Sequence, residues 1–340
     1  MKLVATKDAV GCVLCHDMTR IIPGKEKGAA FKKGHIVTEE DIPILLSMGK
    51  ENIYVWEKVE GILHEDEAAE RLCRVCLNEN MTRSGVSEGK IEIKAGIDGL
   101  FMVDSEKLIG INSIDEIMIA TRKGNTAVKA GDKLAGTRVI PLVIPETKLD
   151  EVDRVAADEP ILRLLPYKLK KAGVITTGSE VAKGRIKDTF TPVIEEKIAA
   201  YGMTMTEHVY SEDGIEKVSD AINEMRTKDV DIIICTGGMS VDPDDSTPGA
   251  IKASGANIVT YGAPVLPGAM FLLGYFTDGM PIMGLPGCVM YAKATIFDLV
   301  LPRIAAGIQL CRKDFTTLGE GGLCLGCESC HYPICPFGKA

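Results

Sequence analysis

Three glycine-rich turns, with acids beside them, carry the spacing in this sequence that most suggests chemistry. Thr177-Gly178-Ser179-Glu180, Thr236-Gly237-Gly238-Met239-Ser240 and Gly284-Leu285-Pro286-Gly287 each follow a short apolar or β-branched run. Glycine lets main-chain N–H groups approach a ligand closely, and N–H groups gathered where strands lead into helices bind anions. One such turn is weak evidence, because tight connections use glycine for steric reasons alone. Three after successive strands, with acids close by, favour a binding site. The acids are Asp188, with Thr189 beside it, and Asp242, Asp244 and Asp245 just past the double glycine. The plain reading is solvated loop charge, and at Asp188 a helix-capping role competes with a functional one. Beside a phosphate nest, carboxylates would instead hold a divalent cation that screens them from the ligand's charge.

The cysteines form a second constellation. Eleven of them in a chain that opens without the apolar core of an export signal read as reduced thiols and metal ligands rather than disulfides. Cys324, Cys327, Cys330 and Cys335, the last followed by Pro336, are similar to the ferredoxin-type run of four cysteines, with one extra residue before the last. Thiolates at this spacing wrap one metal centre, either an iron–sulfur cluster or a structural zinc ion; a tail of free thiols is the third alternative. Cys12 and Cys15 with His16, and Cys73 with Cys76, are either core packing or, jointly, a second four-ligand site. Cys235 and Cys288 read as structural, although Cys288 opens a helix beside the expected ligand and is a candidate for a thiolate of lowered pKa. His35, His64 and His208 fit surfaces or satisfied hydrogen bonds. Lys25, Lys27, Lys32 and Lys33 form a basic patch best read as a solvated face.

The elements that would position these residues are clearest over residues 171–307. Short β-branched runs alternate there with amphipathic helical stretches, as in a parallel sheet covered by helices. Strands are expected at 173–176, 204–209 and 230–235, and the unbroken Ile232-Ile233-Ile234 run fits a strand buried on both faces. Thr191 as N-cap, Pro192 behind it and Gly202 past the end bracket one helix, and Asp213 with Glu216 reads as a capping pair for the next. Thr247-Pro248 opens a short helix. Runs at 270–276 and 281–283, joined by Asp278-Gly279, predict a hairpin at the sheet's edge, and a last helix is expected over 289–306. The first 170 residues mix short strands with helices near 39–48 and 65–78, followed by a β-rich module over 99–144 and a linker or helix over 146–160. The expected divisions are 1–60, mixed α/β; 61–167, a helix then a β-rich module; 168–309, the α/β domain; and 310–340, a cysteine-rich metal-binding tail.

Taken together, Thr177-Gly178-Ser179-Glu180, Asp188-Thr189, Thr236-Gly237-Gly238-Met239-Ser240, Asp245, Pro267-Gly268 and Gly284-Leu285-Pro286-Gly287 resemble the molybdopterin-binding domain shared by molybdopterin adenylyltransferases and molybdenumtransferases. The resemblance spans residues 171–307 and implies a three-layer α/β/α fold with a mostly parallel sheet. It implies that the glycine loops, Thr189, Asp242 and Pro267-Gly268 bind molybdopterin, with Asp188 and Asp245 handling nucleotide or molybdate through Mg2+. Ser246-Thr247-Pro248 is similar to the adenylyltransferase loop, whereas Gly238-Met239-Ser240-Val241 is closer to the molybdenumtransferase one. Two departures stand out: Ala269 replaces the basic residue usual after Pro-Gly in molybdenumtransferases, and Cys288-Val289 replaces Asn-Pro. The implied function is molybdenum cofactor biosynthesis or delivery by adenylate or molybdate transfer. The rival is a non-catalytic pterin carrier, or a redox- or metal-sensing partner of a molybdoenzyme. Self-association into a homo-oligomer is a further implication, as are ATP or molybdate as co-substrates.

Composition bounds these readings. A length of 340 residues, at about 150 per domain, suggests two or three domains. With 48 Asp and Glu against 39 Lys and Arg, the net charge of −9 repels a phosphate backbone, and aromatics at 5% leave little for base stacking. Nucleic acid is therefore not the expected partner. No stretch of about 18 apolar residues runs uninterrupted, so a cytoplasmic protein without a membrane span is expected.

Overall fold

The computed structural model describes residues 2–22, 26–55, 59–157, 159–185, 187–240, 242 and 245–339. Asp244, Val241 and Lys25 of the sequence reading lie outside the described residues. The chain divides into two compact units. One comprises Met1–Gly96, Val103–Arg122 and Gly131–Arg163; the other comprises Ile97–Met102, Lys123–Ala130 and Leu164–Ala340. The segments 168–309 and 310–340 thus fall in one unit.

The second unit is built on a six-stranded sheet. Its order is Thr204–Ser211, Lys171–Thr177, Ile232–Thr236, Pro281–Leu285, Leu272–Tyr275, Asn257–Tyr261. The first four strands run parallel, and the last two are joined antiparallel. The expected hairpin exists but is not the edge: Asn257–Tyr261, bracketed by Gly255 and Gly262 in positive-φ turns, lies outside it. Because successive strand residues point to opposite faces, Ile232 and Ile234 enter one core while Ile233 and Cys235 enter the other. The first core is covered by Thr191–Ala199 and Ile296–Ala305 through Ile194, Ile198, Ile296, Val300 and Ile304. The second is covered by Ile215–Met225 and Thr247–Ala253 through Val218, Ile222, Ala250 and Ile251. This is the expected three-layer α/β/α fold, and each fully buried Ile in it contributes about 1.5–3 kcal/mol over exposure.

Three local expectations change. The single helix over 289–306 is two pieces, a 3-10 turn at Gly287–Met290 and a helix at Ile296–Ala305. Thr295 starts the second piece as a capping box: its hydroxyl accepts from the Phe297 N–H, and Asp298 accepts from the Thr295 N–H at 2.7 Å. The cap of Thr191–Ala199 is not Thr191, which is already helical; Asp188 accepts from the Phe190 and Thr191 N–H groups at 2.8 and 3.0 Å. Asp213 does not cap Ile215–Met225, whose N-cap is Gly214 with no side-chain bond.

In the first unit, Lys2–Ala5 pairs with Asn52–Val55, and Met18–Ile22 with Glu26–Phe31. Leu14, Phe31, Val37, Leu45 and Ile53 belong to a small core within residues 9–55, with Asp41–Ser47 as its helix. A four-stranded sheet of Met81–Arg83, Lys90–Ala95, Lys133–Val139 and Ile117–Thr121 follows. Helices Glu65–Arg74, Ser105–Asn112 and Glu146–Ala156 accompany it. Ser105–Asn112 interrupts the expected β-rich module; Asp104 caps it by accepting from the Lys107 N–H at 3.1 Å. Among the described residues no helix is long and apolar enough to cross a membrane.

Candidate functional site

The strands Lys171–Thr177, Ile232–Thr236 and Pro281–Leu285 are parallel neighbours, so the turns that follow them sit together at their carboxyl ends. Strand order reverses between Lys171–Thr177 and Ile232–Thr236, since Thr204–Ser211 lies on the far side of the former. A crevice at such a switch point is where open α/β sheets take ligands. A cavity of about 380 Å³ lies against this rim, lined by Gly237, Gly238, Met239, Ser240, Asp242, Asp245, Ala269, Met270, Pro286, Gly287 and Cys288.

The rim is held by its own polar contacts. Thr177 donates its hydroxyl to the Thr236 carbonyl at 3.0 Å, and Thr247 donates to the Gly237 carbonyl at 2.9 Å. Gly237 has φ +85°, and a Cβ there would stand 2.4 Å from the Thr177 carbonyl oxygen. No other residue fits that turn without moving backbone. Gly284 has a different reason: a Cβ would meet Met239 Sδ at 2.5 Å, so Gly284 and the fully buried Leu285 shape the core under the cavity rather than its lining. Thr236 is likewise fully buried. Pro267 and Gly268 precede the lining residues Ala269 and Met270, and a Cβ on Gly268 would strike Ile296.

The acids divide. Asp242 and Asp245 line the cavity, joined by the Asp242 N–H donating to Asp245 Oδ2 at 3.1 Å. Asp188 does not line it; both its oxygens are engaged in starting the Thr191–Ala199 helix. Burial pushes the Asp188 carboxyl up, but hydrogen bonds from Thr191 and Phe190 and the nearby His208 outweigh it and hold the group below its ordinary value. His208 Nε2 lies 2.9 Å from the Thr176 hydroxyl, so this histidine is tied in beneath the rim, and burial lowers its pKa against the pull of Asp188 and Glu195. Thr189 reaches Met290 Sδ at 3.2 Å, beside the Pro286-Gly287 turn. Asp242 and Asp245 are the two acids at this cavity that could contribute to holding a divalent cation.

Asp213 has a different partner from the helix start expected of it. It follows the strand Thr204–Ser211, and its Oδ2 accepts from the Ser179 N–H at 2.8 Å, fastening the turn that carries Gly178 and Glu180. Gly214, at φ +116°, makes the bend that aims it there, and donates its N–H to Ser246 Oγ at 2.9 Å. Asp-Gly directly after a strand was the available signal. Cys288 also departs from expectation: burial pushes its thiol up, and its own backbone hydrogen bond offsets this only in part, so it is not a lowered-pKa thiolate.

The tail cysteines Cys324, Cys327, Cys330 and Cys335 all line a second cavity, of about 310 Å³. None of the eleven cysteines is in a disulfide. Among the described residues no three His, Cys, Asp or Glu side chains stand close enough to hold a metal ion as they lie. Cys73 and Cys76 are buried on or next to Glu65–Arg74, while Cys15 donates to the Tyr54 carbonyl at 3.0 Å, so these pairs do not meet as a second four-ligand site. His64 caps Glu65–Arg74 and His35 pairs with Asp41 at 2.7 Å, both in satisfied bonds. Lys33 pairs with Asp66.

Residues 173–306 match the family described as "Probable molybdopterin binding domain", and residues 3–57 match a family described only as a domain of unknown function, DUF8806. A CinA-like protein of Pseudothermotoga lettingae is 34% identical over 86 residues, 25% of this chain and 21% of that one. The chain spans about a fifth of the length of the curated relatives it matches. Among solved structures, the molybdopterin biosynthesis Mog protein of Mycobacterium ulcerans is 20% identical over 41% of this chain and 96% of its own, with TM-score 0.34. The tungsten cofactor synthesizing protein MoaB of Pyrococcus furiosus is 23% identical over 40% and 93%, with TM-score 0.32.

Proposed function

With residues 173–306 a molybdopterin-binding domain, we propose that the cavity at the glycine rim takes molybdopterin or its nucleotide form, and that the protein acts in synthesis, maturation or delivery of the molybdenum cofactor. The observation that carries this reading is the convergence of Gly237-Gly238 and Pro286-Gly287 with Asp242 and Asp245 on one cavity. Main-chain N–H groups at such turns bind the ligand's phosphate, and the rigid sheet beneath them pre-pays the ordering.

As an enzyme, the chain would transfer adenylate or molybdate. Asp242 and Asp245 would then hold Mg2+, which when bound supplies charge neutralisation at the phosphate oxygens. Asp188 and Asp213 would act as positioning residues, the first through the helix start it caps and the second through the Ser179 turn. ATP or molybdate is the co-substrate on this reading, a molybdoenzyme the recipient, and a homo-oligomer the assembled form. A second reading, a carrier without turnover, is favoured by Ala269 and Cys288, since both line the cavity and neither offers a cation to the substrate. Mixing the full chain with molybdopterin, Mg2+ and ATP, and following adenylated pterin, separates the two. Formation that is lost in Asp245→Ala supports the enzyme; binding without product supports the carrier.

A further inference from the structure

We propose that Cys324, Cys327, Cys330 and Cys335 form a four-thiolate site for a thiophilic metal centre, which closes the last part of the chain onto the core of the second unit. The structure adds to the spacing of these residues that all four face one cavity, walled on its other side by Pro267, Ala292 and Ala294. All four are free of disulfides. Thiols spaced along the chain at random would not open into a common space.

What fixes this stretch otherwise is sparse. Residues 324–339 contain no helix or strand. Their backbone bonds to the rest of the unit are the Cys324 N–H to the Leu266 carbonyl at 2.8 Å and the Gly338 N–H to the Gly321 carbonyl at 2.9 Å. Phe337 is buried, and the Tyr332 hydroxyl donates to the Asp298 carbonyl at 3.0 Å. These contacts anchor the stretch at Cys324 and again from Tyr332 onward, and Cys324 and Cys335 pack against the core. Between them Leu325 and Ile334 are 71% and 81% exposed, and Cys327 and Cys330 are exposed as well. Residues 325–331, exposed throughout, gain almost nothing from apolar burial. Metal–thiolate bonds supply a crosslink of the size that small folds without cores rely on.

As they lie, no three of the ligands are within reach of one ion. Binding therefore draws Cys327 and Cys330 inward to the anchored pair. Residues 325–331, which carry them, have no helix or strand to break and no buried side chain to expose, so the movement costs little beyond chain entropy. Lys293, at the cavity, places a positive charge beside a centre that would carry net negative charge.

The test uses the full chain, purified without oxygen and freed of metal by a chelator. One arm receives zinc alone, and the other receives ferrous iron with sulfide. Bound metal and labile sulfide are measured after gel filtration, and thiol reactivity is followed by alkylation and mass spectrometry of the tail peptide. The expected result is one metal centre per chain in one arm, with all four tail thiols protected. A Cys327→Ser/Cys330→Ser variant, which touches no packed side chain, should keep the wild-type circular dichroism spectrum and lose the metal. Metal content equal in the variant and the wild type, or tail thiols that alkylate at the same rate with and without metal in both arms, would overturn the proposal. Neither readout depends on pterin.

Discussion

The glycine rim and the cysteine tail belong to one unit and meet opposite demands. At the rim the candidate ligand groups are main-chain N–H groups, and the parallel strands Ile232–Thr236 and Pro281–Leu285 deliver theirs to one cavity before any ligand arrives, while residues 177–180 lie outside its lining. At the tail the candidate ligand groups are side chains on a stretch without regular structure, anchored at Cys324 and again from Tyr332 onward. A site made of backbone inherits its precision from the sheet; a site made of side chains on a loop acquires it with the metal. The rim should therefore be damaged by small changes in shape, and the tail by removal of ligands or ion.

The largest effect is expected for Gly237→Ala. A positive φ and a contact of 2.4 Å with the Thr177 carbonyl force backbone to move, at a cost of about 1–3 kcal/mol. Pterin affinity should fall at least about tenfold, the equivalent of 1.4 kcal/mol, as read by calorimetry together with a thermal melt. Next is metal removal from the tail. Saturation at about 100 times Kd adds about 2.7 kcal/mol, so chelation should lower the melting temperature of wild type by several degrees and leave Cys327→Ser/Cys330→Ser unmoved. Asp213→Ala strands the Ser179 N–H and should cost about 1–3 kcal/mol, with Asp213→Asn restoring part of it because an amide oxygen still accepts. Thr295→Ala removes the capping box of Ile296–Ala305 and should cost about 1 kcal/mol, as read by a denaturant melt.

The smallest effect is with pH. His208 sits below its ordinary value of 6.5, so the fold favours the neutral ring. That stabilisation is complete above pH 6.5 and is lost as the pH falls through the lower folded value. Asp188, also lowered, adds a second loss of the same sign further into acid. Wild type should therefore destabilise on acidification more than His208→Gln, compared by denaturant melts at matched ionic strength. An equal slope in both would remove His208 from the network under the rim.

Sequence made the sheet and the rim legible because both follow from periodicity and turn chemistry. The Ile232-Ile233-Ile234 run meets two cores, and the glycine turns after Ile232–Thr236 and Pro281–Leu285 meet at one cavity. Continuous apolar spacing hid the break before Ile296, although Thr295 and Asp298 already spelled a capping box. Asn257–Tyr261 went unseen because its alternating, half-exposed residues lack a core signature, and the neighbouring hairpin was placed at the edge in its stead. Asp213 was hidden by proximity. Three residues before Glu216 it satisfies a local capping pattern, while its partner Ser179 is 34 positions away in the chain. The one local trace of this tertiary partner is the Asp-Gly pair just past a strand.

Titration calorimetry of the full chain with molybdopterin, run beside Gly237→Ala, tests the central claim most directly. Saturable heat at one pterin per chain in wild type, weakened at least about tenfold in a folded Gly237→Ala, is the predicted result. No heat with wild type, or equal affinity in the two proteins, would contradict it.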